Sequence, residues 1–405
     1  MEFGPIWRAL LHNKTSYLLI ALQIAVTMAI MVNAIGIIQE RSKLMTRPSG
    51  VDEDNLFYLN STGFEPETDY KVLVDVDLAA IRNFPGVRNA VSTNTVPLQG
   101  GGWSQGLQVE PGEEIEKTGV ALYFMDEHGI DTFGVNLIAG RNFTPTEVSW
   151  YDPTSERRWP NQIIISKAMA EEFFPDISLE ETVGKIIFIE NDMPLTVIGV
   201  LERLQAPWKS WSGVERSMFV PQRREARYAR YVIRTEPGYR DELIPQIEKM
   251  LAESNKGRII RHTKSMDEVR ARSYLQDSAM IKLLIFIVSL LTAITSLGIV
   301  GLASFSVARR TKQIGTRRAL GASRLAILRY FMLENFLISG VGVVGGALIA
   351  VGLNIWMVQT FELAPIAWYL IPAAMLSLWI IGQLAVYGPA RRASMVSPAV
   401  ATRAV

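Results

Sequence analysis

Four long stretches without a charged residue constrain this chain more than any other feature of its sequence. They cover residues 17–39, 283–308, 335–361 and 363–390. Each exceeds the roughly 20 apolar residues that an α-helix needs to cross the hydrocarbon core of a bilayer. The first stretch is too long for the apolar part of a secretory signal peptide, which has about 7–15 residues, and no clear cleavage site follows it. The sequence therefore predicts four transmembrane α-helices.

The basic residues indicate which side of the membrane each connection occupies. If the chain crosses four times, the N-terminal segment, the connection between the second and third helices and the C-terminal tail lie on one side, and together they hold twelve Lys and Arg residues. The connection between the third and fourth helices contains only Glu362. Lys and Arg in short loops favour the cytoplasm. We therefore expect cytoplasmic N- and C-termini and a large domain outside.

These boundaries give the following predicted organisation. The segments are a cytoplasmic N-terminal segment (1–16), transmembrane 1 (17–39), an outer domain (40–278), transmembrane 2 (279–308), a cytoplasmic loop (309–329), transmembrane 3 (330–361), transmembrane 4 (363–388) and a cytoplasmic tail (389–405).

The outer domain is predicted to be a large α+β domain with two subdomains. Patterns near its two ends predict pieces of one sheet, with a strand over 87–96 and an amphipathic helix over 240–254. The middle is mostly β, and Asn191-Asp192 is typical of a hairpin turn. We therefore expect one subdomain, at about 111–213, to be inserted into the other. With 37 acidic and 28 basic residues, residues 40–278 have a net charge of −9.

Residues suited to catalysis or metal binding are scarce. The sequence has no Cys and three His residues without ligand spacing, so we expect no metal and no catalytic site. No G-x-x-x-x-G-K-[ST] motif exists, so the Gly-rich segment 99–106 is no nucleotide loop. We expect it to be a flexible exposed loop, or a contact loop presenting Trp103. These absences disfavour a membrane-bound hydrolase, and the net charge of +1 gives no reason to expect nucleic-acid binding.

Four arginines lie close together late in the outer domain, and two interpretations remain open. They form either a solvated or ion-paired surface or a docking site for an acidic partner. The residues are Arg223, Arg224, Arg227 and Arg230.

The most specific signal is the cytoplasmic loop after transmembrane 2, which reads ARRTKQIGTRRALGASR over residues 308–324. It resembles the corresponding loop of the MacB/FtsX-like ABC transporter permeases, approximately R-T-R-E-I-G-I-R-[KR]-A-L-G-A. Gln313 and Thr316 depart from the family's Glu and Ile. The resemblance implies that the loop couples the permease to an ATPase, through Arg310, Thr311, Lys312, Gln313, Ile314, Gly315, Arg317, Arg318, Ala319, Leu320, Gly321 and Ala322.

Other segments are similar to the same family over nearly the whole chain. They include FGVNLIAGRNF at 133–143, IIISKAMAEEFF at 163–174 and the C-terminal PARR at 389–392. The resemblance implies a one-repeat, four-span permease with a periplasmic domain between the first two spans, in the cell inner membrane. Because only about sixteen residues precede the first span, we expect no fused ATPase domain.

The resemblance also implies partners and a mechanism. We expect two copies of a separate cytoplasmic ATPase that binds ATP and Mg, and a second permease chain forming a homodimer or heterodimer. A periplasmic membrane-fusion adaptor and an outer-membrane channel would suit export or efflux. The permease itself would be non-catalytic and would transmit movement from the ATPases to the periplasmic domain, which is called mechanotransmission.

Alternatives remain open at this stage. Within the same fold, the chain could be a lipoprotein-releasing or cell-wall-regulating permease; in a different class, it could be a membrane sensor that does not transport. The basic loop could also serve only to fix topology and bind anionic lipid. Otherwise Ile314, Ala319 and Leu320 would supply apolar contacts to the ATPase.

Transmembrane 3 has two features that bear on helix packing and charge. Gly342 and Gly346 have the spacing that lets membrane helices approach closely, either within the chain or across a dimer. Glu334 lies near the predicted cytoplasmic boundary, where we expect it to pair with a loop arginine or to reach the interface.

Overall fold

The computed structural model describes residues 14–155, 158–224, 226–361 and 365–398, which form two compact units. One unit consists of the described residues up to Met45 and from Gln276 onward, and the other of Thr46–Leu275. The first contains four helices long and apolar enough to cross a membrane, and the second is a large domain of helices and sheets. The predicted fold class is therefore confirmed.

The helices are numbered in chain order. They are α1 (Lys14–Met45), α2 (Tyr70–Arg82), α3 (Gly129–Phe133), α4 (Lys167–Phe173), α5 (Leu179–Thr182), α6 (Arg240–Ser254), α7 (Met266–Ser273), α8 (Leu275–Arg309), α9 (Thr311–Ala319), α10 (Arg324–Phe361) and α11 (Leu370–Ser394).

The strands described by the structure all belong to the outer domain. They are β1 (Leu56–Gly63), β2 (Val87–Ser92), β3 (Trp103–Gln108), β4 (Thr118–Phe124), β5 (Leu137–Gly140), β6 (Ser149–Trp150), β7 (Gln162–Ser166), β8 (Ile186–Ile189), β9 (Met193–Leu201), β10 (Ser217–Val220), β11 (Gln222–Arg223), β12 (Tyr228–Thr235) and β13 (Arg258–Ser265).

The sheet order confirms that one subdomain is inserted into another. An antiparallel sheet with the order β13-β1-β12-β2 combines strands from both ends of the domain. A seven-stranded sheet, β5-β9-β7-β10-β4-β3-β8, is built entirely from the residues between β2 and β12. Its strands extend from Trp103 to Val220, beyond the predicted 111–213 at both ends. Three glycines directly precede β3 and Gly106 lies within it, and because glycine has weak strand propensity the sequence did not predict this strand.

Each sheet has its own apolar core. The four-stranded sheet packs against α2 and α6, and α6 has the predicted bounds and buries Leu243, Ile247 and Leu251. Inside this core Arg258 and Asp77 form a buried ion pair. Burial of isolated charges is expensive, and here the Tyr231 hydroxyl also donates to Asp77, over 2.6 Å, which helps to satisfy the carboxylate.

The structure explains two residues of the segment GRNF at 140–143, namely Gly140 and Arg141. Gly140 has φ +76°, and a Cβ there would lie 2.2 Å from the carbonyl oxygen of Ile198, so only glycine fits. Arg141 donates to both carboxylate oxygens of Glu147, over 2.6 and 2.9 Å. Hydrogen bonding to Arg141 lowers the pKa of Glu147 to about 2. The turn that follows β5 is thus fixed by an ion pair.

The Gly-rich segment is exposed at Gly100, Gly101 and Trp103, as expected, but it is not a loop over its whole length. It continues into β3 at Trp103. Before the strand, the backbone N–H of Gly100 donates to the Pro207 carbonyl, over 2.9 Å, and the Thr95 hydroxyl donates to the carbonyl of Gly101, over 2.6 Å. Hydrogen bonds to a distant segment are not visible in a sequence, so the expectation of a loop from 99 to 106 was too broad.

The four clustered arginines do not form one common surface. Arg223 donates to Asp126, over 2.7 Å, and Arg227 donates to the carbonyl of Gly63, over 3.0 Å. These two arginines are therefore engaged within the domain. Arg224 and Arg230 also donate hydrogen bonds within the domain, to Gln222 and Asn60 respectively, and both line a cavity that is described below.

Candidate functional site: the basic helix α9

Helix α9 lies between the membrane helices α8 and α10, in the segment predicted to couple the permease to an ATPase. Its inner face is covered by the chain itself, because Ile314 and Gly315 are buried. Ile314 packs in a cluster with Ile327 and Phe331 of α10. We expected Ile314 to contact a partner together with Ala319 and Leu320. The structure instead uses Ile314 to attach α9 to the membrane helices.

The C-terminal end of α9 is a Schellman motif, in which a left-handed residue terminates the helix. Gly321 has φ +96°. The N–H of Ala322 donates to the Arg317 carbonyl, over 3.0 Å, and the N–H of Gly321 donates to the Arg318 carbonyl, over 3.2 Å. The glycine in the Ala-Leu-Gly-Ala sequence thus serves the turn into α10, whose first turn is capped by Ser323.

Helix α10 begins at Arg324, six residues before the predicted start of transmembrane 3 at residue 330. The connection between α8 and α10 therefore consists almost entirely of α9 and its two caps.

The outer face of α9 is exposed and basic. Leu320 is 83% exposed, although it is a large apolar residue. No acidic residue occurs between 309 and 333, so nothing in this segment neutralises its positive charge. The exposed residues of the predicted site are Lys312, Gln313, Arg317, Ala319, Leu320 and Gly321.

Four other residues of the predicted site are half-buried. They are Arg310, Thr311, Arg318 and Ala322, and Arg318 donates to the Ala322 carbonyl over 2.9 Å. Thr316 is exposed on α9 but was not among the predicted site residues. It departs from the family's Ile at that position, and its exposure shows why a polar residue fits there.

The N-terminal end of α9 is tied to two membrane helices by a buried polar network. The guanidinium of Arg310 donates to both carboxylate oxygens of Glu334 in α10, over 3.0 and 3.1 Å. It also donates over 3.0 Å to the hydroxyl of Tyr17 in α1, which in turn donates over 2.8 Å to Glu334. Glu334 is only 4% exposed. The expected pairing of Glu334 with a loop arginine is therefore present in the structure.

Sequence reasoning did not find Tyr17 as a member of this network. The only sequence feature that marks Tyr17 is its position at the start of the uncharged stretch 17–39. A second ion pair was also missed: Arg41 of α1 donates over 2.6 Å to Asp277 of α8, whose side chain is 5% exposed. Both ion pairs join different helices. Which side chains meet across two helices depends on how the helices pack, and the pattern within one helix does not show this.

The glycines of α10 pack against α1 within the same chain. A Cβ at Gly342 would lie 2.7 Å from the carbonyl oxygen of Ala21, and one at Gly346 would lie 2.6 Å from that of Ala25. Both distances are too short for any side chain, so the two helix backbones approach as closely as small residues allow.

Metal ligands are not gathered in one place in the described parts of the chain. Within them, no group of three His, Asp or Glu side chains could hold a metal ion.

The described residues combine four membrane-type helices, a large domain of two subdomains and a basic helix between the second and third membrane helices. This combination defines a class of multi-pass membrane protein. The MacB-like periplasmic core domain matches residues 17–250, more than half of the chain, and the FtsX-like permease C-terminal domain matches residues 285–398. The chain therefore belongs to the MacB/FtsX-like ABC transporter permease family and is a multi-pass membrane protein.

Two curated relatives illustrate this similarity. The chain is 26% identical to the pyoverdine export ATP-binding/permease protein PvdT of Pseudomonas fluorescens (strain Pf0-1), over 98% of this chain and 58% of that protein. It is 27% identical to the macrolide export ATP-binding/permease protein MacB of Bartonella quintana (strain Toulouse), over 83% of this chain and 49% of that protein. The chain thus spans about half the length of these relatives.

Solved structures with detectable similarity match part of the chain. The periplasmic region of MacB from Actinobacillus actinomycetemcomitans has a TM-score of 0.34 and 14% identity, covering 57% of this chain and 97% of that one. The extracellular domain of the transporter YknZ from Gram-positive bacteria has a TM-score of 0.31 and 18% identity, covering 51% of this chain and all of that one.

Proposed function

We propose that this chain is the permease subunit of an ABC transporter that couples ATP hydrolysis by a separate cytoplasmic ATPase to movement of its outer domain. The observation that supports this most directly is the division of α9 into two faces. The buried face attaches to the membrane helices through Ile314, and the exposed face presents Leu320 within a basic surface. A basic helix that also presents a leucine matches the usual anatomy of a protein interface, which combines an apolar centre with a polar rim. A role in topology alone would require only the positive charges.

The polar network at the start of α9 supplies a route for transmitting force. A displacement of α9 acts on Arg310, and through its hydrogen bonds on Glu334 of α10 and Tyr17 of α1. Because α1 is a single helix of 32 residues, movement at one end reaches the other without an intervening loop. We infer that mechanotransmission uses these rigid helices, and that the chain performs no catalysis itself.

The proposed assembly has two ATPase copies and a second permease chain, identical or related. ATP and Mg would bind to the ATPases, with no cofactor on this chain. The complex would lie in the cell inner membrane, with both termini cytoplasmic and the outer domain in the periplasm, and would serve export or efflux. A periplasmic adaptor and an outer-membrane channel would complete the export route.

Replacement of Leu320 by Asp tests the coupling role. Leu320 is 83% exposed, so the variant should fold and insert normally. At the ATPase interface it would bury an unpaired carboxylate, which costs several kcal/mol. We expect co-purification of the ATPase with Leu320→Asp to fall at least about tenfold, as measured by quantitative affinity capture.

Val72→Asp is the matched control, because Val72 is 57% exposed and lies in the outer domain. It should leave the ATPase yield unchanged. Full ATPase recovery with Leu320→Asp would show that α9 serves only topology or lipid binding and would refute the proposal.

A further inference from the structure

Two cavities lie next to each other in the outer domain. Their volumes are about 300 and 670 Å³, and both are lined by Asn60 and His262. We call the two together the basic groove, because its basic lining residues are Lys209, Arg224, Arg230, Arg261, His262, Lys264 and Arg272. No Asp or Glu lines it within the described parts of the chain. This lining contrasts with the net charge of −9 on residues 40–278, which would lead one to expect carboxylates in a surface groove.

Three of these cations have no acidic partner among the residues that the structure describes. Among the described residues, no carboxylate oxygen lies within 4.0 Å of the side-chain nitrogens of Arg261, Lys264 or Arg272. Other arginines of the domain are paired, as Arg234 is with Asp52 over 2.7 Å. The unpaired charges of the groove are therefore available to a ligand.

A β-bulge directs neighbouring side chains into the groove. The pairing of β13 with β1 shifts between Tyr58 and Asn60, and His262 has φ +57° at this position. In a regular strand, consecutive side chains point to opposite faces of the sheet. Here both Arg261 and His262 line the smaller cavity. Bulges and left-handed residues of this kind are common next to binding sites.

One wall of the smaller cavity is aromatic. Trp103 is 45% exposed and meets Phe124 edge-on, with 5.7 Å between ring centroids. Tyr228 lines the same cavity and is 60% exposed. A ligand bound here would therefore meet both cations and an apolar surface.

We infer that the basic groove binds a small amphipathic molecule with a carboxylate or phosphate group and an aromatic or apolar part. The cations would bind the anionic group, since arginine recognises carboxylate and phosphate through paired hydrogen bonds. The aromatic wall would contact the rest of the molecule. The cavity volumes fall in the range of small-molecule sites, about 300–1,000 Å³. Because this binding requires no ATPase, its test can give a positive or negative result whether or not the chain couples to an ATPase.

The test is isothermal titration calorimetry on the full chain in nanodiscs of zwitterionic phosphatidylcholine. The probes are 2-naphthyl phosphate, 2-naphthoate and the neutral 2-naphthamide. We expect at least one anion to bind about tenfold more tightly than the amide, and the stronger anion identifies the preferred group. Arg261→Gln should weaken anion binding about tenfold, the size expected for one charge-assisted hydrogen bond.

Lys249→Gln is the matched control, because it removes one positive charge from an exposed site on α6, outside the groove. It should leave anion binding unchanged. The inference is overturned if no anion binds, if the amide binds as tightly as both anions, or if the two variants weaken binding equally.

Discussion

At the scale of single residues, the Arg310–Glu334 ion pair is the most consequential contact of the membrane unit. It joins Arg310, the residue directly before α9, to a carboxylate that is almost completely buried in α10. A buried pair of this kind adds little net stability over an apolar pair, but the loss of one partner leaves an uncompensated charge. Loss of either partner should therefore weaken the attachment of α9 to α10.

Arg310→Ala should destabilise the protein, whereas Arg309→Ala should not. Removing Arg310 leaves the buried charge of Glu334 without a cation, which should lower the free energy of unfolding by about 3–5 kcal/mol. Arg309, by contrast, is exposed and lies beside the ring of Phe305. We expect a lower thermal-denaturation midpoint for Arg310→Ala, measured by fluorescence in detergent. Adding Glu334→Gln to that variant should raise the midpoint again in part, because it removes the unpaired charge. Equal midpoints for the two arginine variants would contradict this role.

Some of these residues could be predicted from the sequence and others could not. The loop motif included Arg310. The position of Glu334 near the predicted boundary suggested that it either pairs with a loop arginine or reaches the interface. The motif gave no indication that Ile314 faces the membrane helices. The apolar residues of so short a segment can pack either on the chain's own helices or on a partner, and the sequence does not distinguish the two. The partners of buried groups depend on helix packing, which a sequence pattern does not specify.

At the scale of elements, the contact between α1 and α10 is built from small residues. Gly342 and Gly346 lie against the backbone of Ala21 and Ala25. The sequence predicted close packing from the glycine spacing alone. It could not distinguish a contact within the chain from one between two chains, because both place small residues on the same helix face.

Gly342→Val should destabilise this contact, and Gly345→Val provides the control on the same helix. A Cβ at Gly342 would meet the Ala21 carbonyl oxygen at 2.7 Å, whereas one at Gly345 would meet nothing within 4 Å. Overpacking typically costs about 1–3 kcal/mol, so the denaturation midpoint should fall for Gly342→Val only. A normal midpoint for Gly342→Val would show that the two helices separate readily.

The outer domain shows the same division between what a sequence predicts and what it leaves open. Its amphipathic helix α6 and the hairpin of β8 and β9 follow from local periodicity and turn chemistry, and both are present. The basic groove combines residues from both subdomains, such as Trp103 and Arg261. Charge patterning along the chain suggested only the arginines at 223–230 as a docking surface, since the other cations are scattered in sequence.

At the scale of the whole molecule, the proposed function requires that the ATPase and the outer domain change state together. The long helices α1 and α8 connect the membrane unit covalently to the outer domain. We expect the spacing of the two outer domains in a dimer to depend on the nucleotide bound to the ATPases. A membrane sensor makes the opposite forecast, because a ligand added outside should then change the spacing and nucleotide should have little effect.

A single spin label on each outer domain can report this spacing. The chain has no Cys, so Lys249→Cys introduces a single labelling site, and the Lys249 side chain is 75% exposed on α6. Arg240 on the same helix is less suitable because it donates to Asp267. Labelling of intact spheroplasts with a membrane-impermeant reagent first establishes that position 249 lies outside.

Double electron–electron resonance between the two labels should then give different distance distributions with and without an ATP analogue. The reason is that a rigid helical connection must move the outer domain when its cytoplasmic end moves. Addition of the analogue to a complex with an ATPase variant that cannot bind nucleotide is the control, and it should leave the distribution unchanged. Identical distributions in a complex that demonstrably hydrolyses ATP would be incompatible with mechanotransmission by this chain.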